Sequence, residues 1–134
     1  HRIILTVILL SFTICSFGDN IFNGAQWISV SESQNTPNQW FCFRKQVECE
    51  RKHSIAELNI AVDSKYWLWV NDSLVTFEGG LKRGPNPLDT YYDCVDISRF
   101  LKKGLNIIAI QVWFWGKDGY CHKNSGRAGL LKIR

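Results

Sequence analysis

The chain has 134 residues, 46% of them hydrophobic and 21% charged, with a net charge of +4. That length is one domain's worth, and the balance excludes both a disordered chain and a bundle of membrane helices. Three Pro and ten Gly also exclude a collagen-like chain or a Pro-rich linker.

The charge is uneven. From Asp19 to Leu81 five Lys/Arg stand against eight Asp/Glu, whereas from Lys82 to Arg134 ten stand against four. No recognition helix, zinc-finger spacing or RNA-binding signature accompanies the basic half, so it reads as a solvated edge with no nucleic-acid partner. The chain starts at His1, contains no Met, and ends inside a strand-like run, so it reads as a fragment of a longer chain.

Residues Ile3 to Ile14 form a 12-residue apolar run behind Arg2. A bilayer-spanning helix needs about 20 such residues. The run has the size of a signal-peptide core, and Ser16 and Gly18 supply the small residues of a cleavage site after Gly18. The expected organisation is a signal peptide over 1–18 and an exported domain over 19–134, periplasmic or extracellular. Cys15 raises lipidation, but Ile14 is not the small residue that a lipobox requires. Export permits disulfides. Cys42, Cys49, Cys94 and Cys121 allow three pairings, with no Cys-x-x-Cys spacing for zinc. A chain with this much apolar sequence does not need them, so buried free thiols are expected, with room for one disulfide.

Beyond the leader, short β-type runs alternate with Gly, Asn, Pro and Asp. Gln39 to Val47 places Phe41, Phe43 and Val47 on one face, with Lys45 at a rim. Ile55 to Val62 turns Leu58, Ile60 and Val62 inward. A tight turn at Asp63-Ser64-Lys65 leads into Tyr66 to Val70. Asn71-Asp72-Ser73 is the next turn, since Asn and Asp tolerate the positive φ that hairpins need, and Leu74 to Phe77 continues. Glu78 to Asp89 is a long loop with Gly-Pro-x-Pro at its heart. Thr90 to Val95 is a strand. Asp96 to Leu101 is one helical turn, capped by Asp96 or Ser98 and ended by Gly104. Leu105 to Trp115 is the strongest strand, with Ile108, Ile110, Val112 and Phe114 on one face and Ala109, Gln111, Trp113 and Trp115 on the other. Gly116 to Arg127 is a second loop, and Ala128 to Ile133 a last strand. Strands at this spacing without helices predict an all-β, jelly-roll-like sandwich.

Several segments carry a resemblance. Y-W-L-W-V-N-D-S-L-V (66–75) and T-Y-Y-D-C-V-D-I-S-R-F-L-K-K-G-L-N-I-I-A-I-Q-V (90–112) resemble the galactose-binding-like β-sandwich of glycoside hydrolases. Two cassettes narrow this: G-G-L-K-R-G-P-N-P-L-D-T-Y-Y-D (79–93) and V-W-F-W-G-K-D-G-Y-C-H-K-N-S-G-R-A-G-L (112–130). Together with Ala25-Gln26-Trp27, they resemble the N-terminal region of bacterial α-L-rhamnosidases of glycoside hydrolase family 78, of the type exported by gut Bacteroidetes. The likeness runs from Ala25 to Leu131, and Asp72 departs from the usual Val-Asn-Gly turn. It implies a galactose-binding-like jelly roll truncated at its C-terminal strands. It also implies a parent enzyme that releases terminal α-L-rhamnose from glycans with inversion. The chemistry of such enzymes lies on a separate α/α-barrel domain, which this chain lacks, so no catalytic residue is named. The implied partners are that barrel and a rhamnose-containing glycan.

The chain's own carboxylates do not read as catalytic. An inverting glycosidase needs two carboxyl groups about 6.5–9.5 Å apart. Asp96 is better explained as a cap, Asp89 as a turn residue, and Asp93 as the partner of a nearby Lys or Arg. Glu78 and Asp118 are the other two candidates. His122 could be assembled into a triad only on paper, because no nucleophile motif surrounds any Ser. No metal or cofactor is expected, although Asn71 and Asp72 could help hold a structural calcium.

Sugar C–H faces stack on aromatic rings. If Leu68 and Phe114 face the core, then Trp67, Trp69, Trp113 and Trp115 all point outward. They would form either a glycan platform or, the preferred reading, a domain interface, where Trp is enriched. Lys82 and Arg83 on the first loop, with Lys117 and His122 on the second, are further candidates for the same roles, facing the catalytic barrel and bordering its cleft. Two alternatives remain at this point: a free-standing carbohydrate-binding module and the sugar-binding domain of a family 2 glycosidase.

Overall fold

The computed structural model describes residues 25–29, 36–52, 55–80, 91–120, 122–126 and 129–132. The expected leader over 1–18, with Cys15, the loop residues Lys82, Arg83 and Asp89, and Cys121 lie outside the described residues.

Among the described residues there are eight strands: β1 (Gln26–Ile28), β2 (Gln39–Cys49), β3 (Glu57–Val62), β4 (Lys65–Val70), β5 (Ser73–Gly80), β6 (Asp93–Asp96), β7 (Gly104–Phe114) and β8 (Leu130–Lys132). A 3-10 turn, Ser98–Phe100, precedes β7. The strands form two four-stranded antiparallel sheets, ordered β1-β8-β3-β6 and β2-β7-β4-β5. This is the all-β sandwich that the alternation predicts. Among the described residues no helix is long and apolar enough to cross a membrane.

The register follows from the period of two. In β7, Ile110, Val112 and Phe114 are buried, and Ile108 packs against them. Opposite on β4, Tyr66, Leu68 and Val70 are fully buried. On β2, Phe41 is buried while Phe43 and Val47 line the core, and Lys45 stays exposed, as its rim position predicts. The facing sheet contributes Ile60 and Val62, with Leu58 beside them. Ile97 and Leu101 seal one end of the core from either side of the 3-10 turn.

The β4–β5 turn has only two residues, Asn71 and Asp72, at φ 49° and 67°. Two successive positive φ values are the signature of a type I′ hairpin turn, so the Asp in place of Gly changes the residue and not the turn. Asn71 also ties this turn to the start of β7. Its Nδ2 donates to the Phe100 carbonyl and to Asn106 Oδ1, and its Oδ1 accepts from the Ile107 N–H at 3.0 Å. Asn106 is itself buried, donating to the Lys102 and Gly104 carbonyls and accepting from the Lys102 N–H.

Several boundaries differ from expectation. Glu78 to Gly80 belong to β5, because Lys65 pairs with Gly80 in the β4–β5 ladder and its Nζ reaches Glu78 at 2.7 Å. Asp93 has Tyr66 and the Gly80 backbone as its partners in place of a Lys or Arg: Tyr66 Oη donates at 2.9 Å and the Gly80 N–H at 2.8 Å. Burial, with Asp93 as a second cause, pushes the Tyr66 hydroxyl far above its ordinary pKa. Among the described cysteines, Cys42, Cys49 and Cys94 are free thiols. Only Cys49 is buried, since Cys42 and Cys94 fall on outward positions of their strands.

Candidate functional site

Alternation fixes the outer face of the β2-β7-β4-β5 sheet. With Leu68 and Phe114 inward, Trp67, Trp69, Trp113 and Trp115 turn outward together, each half-buried. Two aromatic neighbours that the Trp pairs do not reveal join them. Trp40, directly opposite Trp113 in the β2–β7 register, is 49% exposed, and Phe77 on β5 is 71% exposed. The signal for Trp40 lay in its own strand, where Phe41 and Phe43 face the core and Trp40 must therefore face away.

The rings form a row across the sheet. Phe77 meets Trp67 edge-on at 6.1 Å between centroids. Trp67 stacks on Trp40 at 5.5 Å, and Trp40 on Trp113 at 5.0 Å with the planes only 5° apart. Trp113 meets Trp115 at 70° and 5.7 Å, and Trp115 meets the His122 ring at 73° and 5.4 Å. Lys65 Nζ lies 5.8 Å from the Trp115 ring centre, within cation–π range. In the middle of the row the indoles lean on one another, so their faces are largely covered and their edges look outward. Trp69 stands beside the row, paired with Leu74 on β5 and Ala109 on β7.

The far end of the row is different. Asn38, Trp113, Trp115 and Lys117 line an open depression of about 380 Å³. Asn38 Oδ1 accepts the Trp113 indole N–H at 2.9 Å, and the Asn38 backbone N–H donates to the Trp115 carbonyl at 3.1 Å. Gly116 follows at φ 69°, and a Cβ there would lie 2.7 Å from Pro37 Cα, so only glycine fits this crossing. Lys117 is exposed at the mouth.

His122 is not a surface residue. It is 3% exposed, and its Nε2 lies 3.0 Å from Oδ1 of the fully buried Asp63. The Asp63–Ser64 turn crosses from one sheet to the other and is covered by the 116–126 loop. Asp63 accepts from Ser64 Oγ at 3.1 Å, from the Ser125 N–H at 2.6 Å and from Ser125 Oγ. Ser64 Oγ in turn accepts the Trp115 N–H at 3.0 Å. Histidine, aspartate and serine therefore do come together, but in the wrong order for a triad. A serine nucleophile must give its proton to the histidine, whereas both hydroxyls here give theirs to the aspartate. The cluster fastens the loop to the sandwich corner, where bonded partners are what a buried carboxylate needs.

The remaining carboxylates are likewise engaged in structure. Asp118 is bonded by Lys123 Nζ at 2.8 Å and by the Asn124 N–H, and both hold its carboxyl below the ordinary range, the lysine first. Asp96 Oδ1 accepts the Ser98 hydroxyl at 2.5 Å and the Ser98 N–H at 2.9 Å, which lowers its pKa. Asp96 thus bonds the first residue of the 3-10 turn from outside it: the N-cap position is Ile97, which makes no side-chain cap, in place of the expected Asp96 or Ser98. Asn71, offered above as a calcium ligand, has its amide bonded within the fold. Among the described residues no group of three or more His, Cys, Asp or Glu converges as a metal site would require.

No protein-family model matches the chain, and no curated protein sequence matches it. Solved structures do. A GH78 family rhamnosidase of Bacillus sp. GL1 is 32% identical over 80% of this chain, with a TM-score of 0.64. An α-L-rhamnosidase from Aspergillus terreus superposes over 80% of the chain at 21% identity and a TM-score of 0.54. One from Dictyoglumus thermophilum covers 67% at 20% identity and a TM-score of 0.51. The last two show the fold alone. The matched regions are 11%, 13% and 12% of those chains. The chain is thus similar to a β-sandwich segment that makes up about a tenth of family 78 α-L-rhamnosidases.

Proposed function

We propose that this chain is the N-terminal accessory β-sandwich of an exported α-L-rhamnosidase-like glycoside hydrolase, whose catalytic α/α-barrel lies elsewhere in the same polypeptide and releases α-L-rhamnose from glycans. The observation that carries this reading is the 32% identity to the Bacillus rhamnosidase across 80% of the chain. The engagement of Asp63, Asp93, Asp96 and Asp118 in structural bonds supports it, because it argues against hydrolysis by the sandwich itself. The apolar run from Ile3 to Ile14 behind Arg2 supports export.

The aromatic row is the seat for the rest of the polypeptide. Trp40 stacks on both Trp67 and Trp113, so the middle of the row lacks the broad open face that a sugar platform requires. Exposed Leu74 and Phe77 extend the same surface to the β5 edge. A half-buried Trp cluster ringed by exposed apolar residues is the anatomy of a protein interface.

The test is to read the coding sequence in frame beyond Arg134. Several hundred further codons specifying a helix-rich domain are expected. A stop within the length of one or two strands would defeat the glycosidase reading and leave a free-standing module. If the long chain is found, replacing Lys82 and Arg83 with Ala in it tests whether the first loop borders the substrate cleft. Unchanged kinetics would remove that part.

A further inference from the structure

We infer that the corner between Trp113 and Trp115 is a subsite for one neutral pyranose residue of a glycan. This corner is built unlike the stacked middle of the row and, with Asn38 and Lys117, carries polar groups beside its rings. The two indole planes meet at 70° and do not stack, so a ligand can press against one and abut the other. The depression between them, about 380 Å³, is large enough for a single sugar ring. Its polar wall supplies donors. Asn38 Oδ1 is engaged by the Trp113 indole N–H, which leaves the Nδ2 amide to donate, and Lys117 places an ammonium at the mouth. Two apolar planes for C–H groups, with two donors for hydroxyl oxygens, match the chemistry of a saccharide better than that of a peptide or a purely apolar ligand.

The corner is also held in shape before any ligand arrives. Trp115 is fixed through its N–H to Ser64 Oγ, through its carbonyl by the Asn38 N–H, and by the His122 ring packed against its own. His122 is anchored in turn by Asp63. Trp113 is fixed by Asn38 and by stacking on Trp40. Gly116 admits the close passage of Pro37 that brings Asn38 to the site. A site this well braced loses little freedom on binding. The buried Asp63–His122–Ser125 cluster thereby acquires a purpose: it positions the second wall of the subsite from behind.

The inference stands on this geometry and not on the rhamnosidase reading. A stop codon just beyond Arg134 would defeat that reading and leave the corner untouched, whereas a failed titration would do the reverse. The test uses the 134-residue chain labelled with 15N at tryptophan, titrated with methyl α-L-rhamnopyranoside and, separately, methyl β-D-glucopyranoside. The expected result is a saturable shift of the Trp113 and Trp115 indole signals with one or both, at a dissociation constant of about 1 mM, the range open to a ligand of one sugar ring. Lys117→Ala removes only an exposed side chain. It is expected to weaken that binding about 3- to 10-fold without altering the fold, the loss of one charge-assisted hydrogen bond. Trp69→Ala is expected to leave it unchanged. No shift at Trp113 and Trp115 with either sugar up to about 50 mM, roughly fifty times that constant, would overturn the inference. So would equal drifts of all indole signals, or a Lys117→Ala chain that binds as tightly as the parent.

Discussion

The two faces of the β2-β7-β4-β5 sheet use the same strands and are both apolar, but they are closed by different means. On the inner face Tyr66, Leu68, Val70, Val112 and Phe114 are fully buried against the second sheet. On the outer face Trp67, Trp69, Trp113 and Trp115 stay half-buried, with the more exposed Trp40 in the middle of the row and Phe77 at one end. The inner side chains are mostly aliphatic and interdigitate with another layer about 10 Å away. The outer indoles are too wide to share that gap, and with no second layer among the described residues they lean across the strands. A sheet that is apolar on both sides must meet something on each, so the difference separates what folds the domain from what the domain is for.

The largest effect should come from exchanging neighbours across the sheet. Leu68→Ala opens a cavity in the core, and we expect a loss of about 3 kcal/mol in urea denaturation. Trp69→Ala, one residue on and a larger truncation, should lower stability by only about 1 kcal/mol, because its site is open to water and leaves no closed void. Equal losses would mean that the outer face is as much core as the inner one, and the division of roles would fail.

Next comes the polar plug at the end of the inner face. Asn106 occupies an inward position of β7 and holds together Asn71, Lys102 and Gly104. Asn106→Ala leaves buried donors and acceptors unpaired, which should lower stability by about 2 kcal/mol. Asn71→Ala should cost a similar amount, and the double variant should lose less than the sum, because both residues belong to one network. A fully additive pair would show that they act separately.

Smaller still is the effect of Trp40→Ala on stability, expected to stay within about 1 kcal/mol, the worth of an exposed aromatic pair. Its effect on the outer face should be clear nonetheless. The chain is expected to bind a hydrophobic reporter dye at this surface, and Trp40→Ala, by removing the middle of the stack, should reduce that fluorescence. A dye signal indifferent to Trp40 would place the sticky surface elsewhere.

Much of this architecture was legible in the sequence. The alternation separates Ile108, Ile110, Val112 and Phe114 from Ala109, Gln111, Trp113 and Trp115, and with Leu68 and Phe114 inside, a period of two turns Trp67, Trp69, Trp113 and Trp115 outward. The likeness to a galactose-binding-like sandwich rests on the longer strings 66–75 and 90–112, and their asparagines, Asn71 and Asn106, prove to be structural. What stayed hidden was whatever depends on contact between segments distant along the chain. Nothing local marks Asp63 and His122 as partners, 59 residues apart, so His122 looked like an exposed loop residue. Asp93 looked like half of an ion pair because its partner, Tyr66, lies in the other sheet. Trp40 is harder to read for a different reason: it is a single Trp, without the alternating partner that marks Trp67 with Trp69 and Trp113 with Trp115.

The smallest expected effect concerns the end seal of the inner face, and acid isolates it from the outer one. Asp96 accepts both the hydroxyl and the N–H of Ser98, and Ser98 Oγ accepts the Ala56 N–H at 2.7 Å, so one carboxylate holds the turn between Ile97 and Leu101. Those bonds to Ser98 favour the ionised form, and they lower the folded-state pKa below the ordinary value of 3.8. A depressed carboxylate pKa contributes stability that is present above the unfolded-state value and is lost as pH falls through the folded-state value. The seal should therefore hold at neutral pH and soften below about pH 4, the start of the carboxylate range. Asp118 is depressed in the same direction by Lys123, so the acid limb of the whole chain carries both groups. The informative quantity is the difference between the parent and Asp96→Asn, whose amide carbonyl can still accept from Ser98 but does not titrate. We expect the variant to be less stable at neutral pH and the gap to close on acidification, with the Ser98 amide signal moving through that range in the parent alone. Because Asp96 lies on the other sheet, the indole signals of the aromatic row should not follow this transition. If they do, the two faces are coupled through the core, and closing one alters the other.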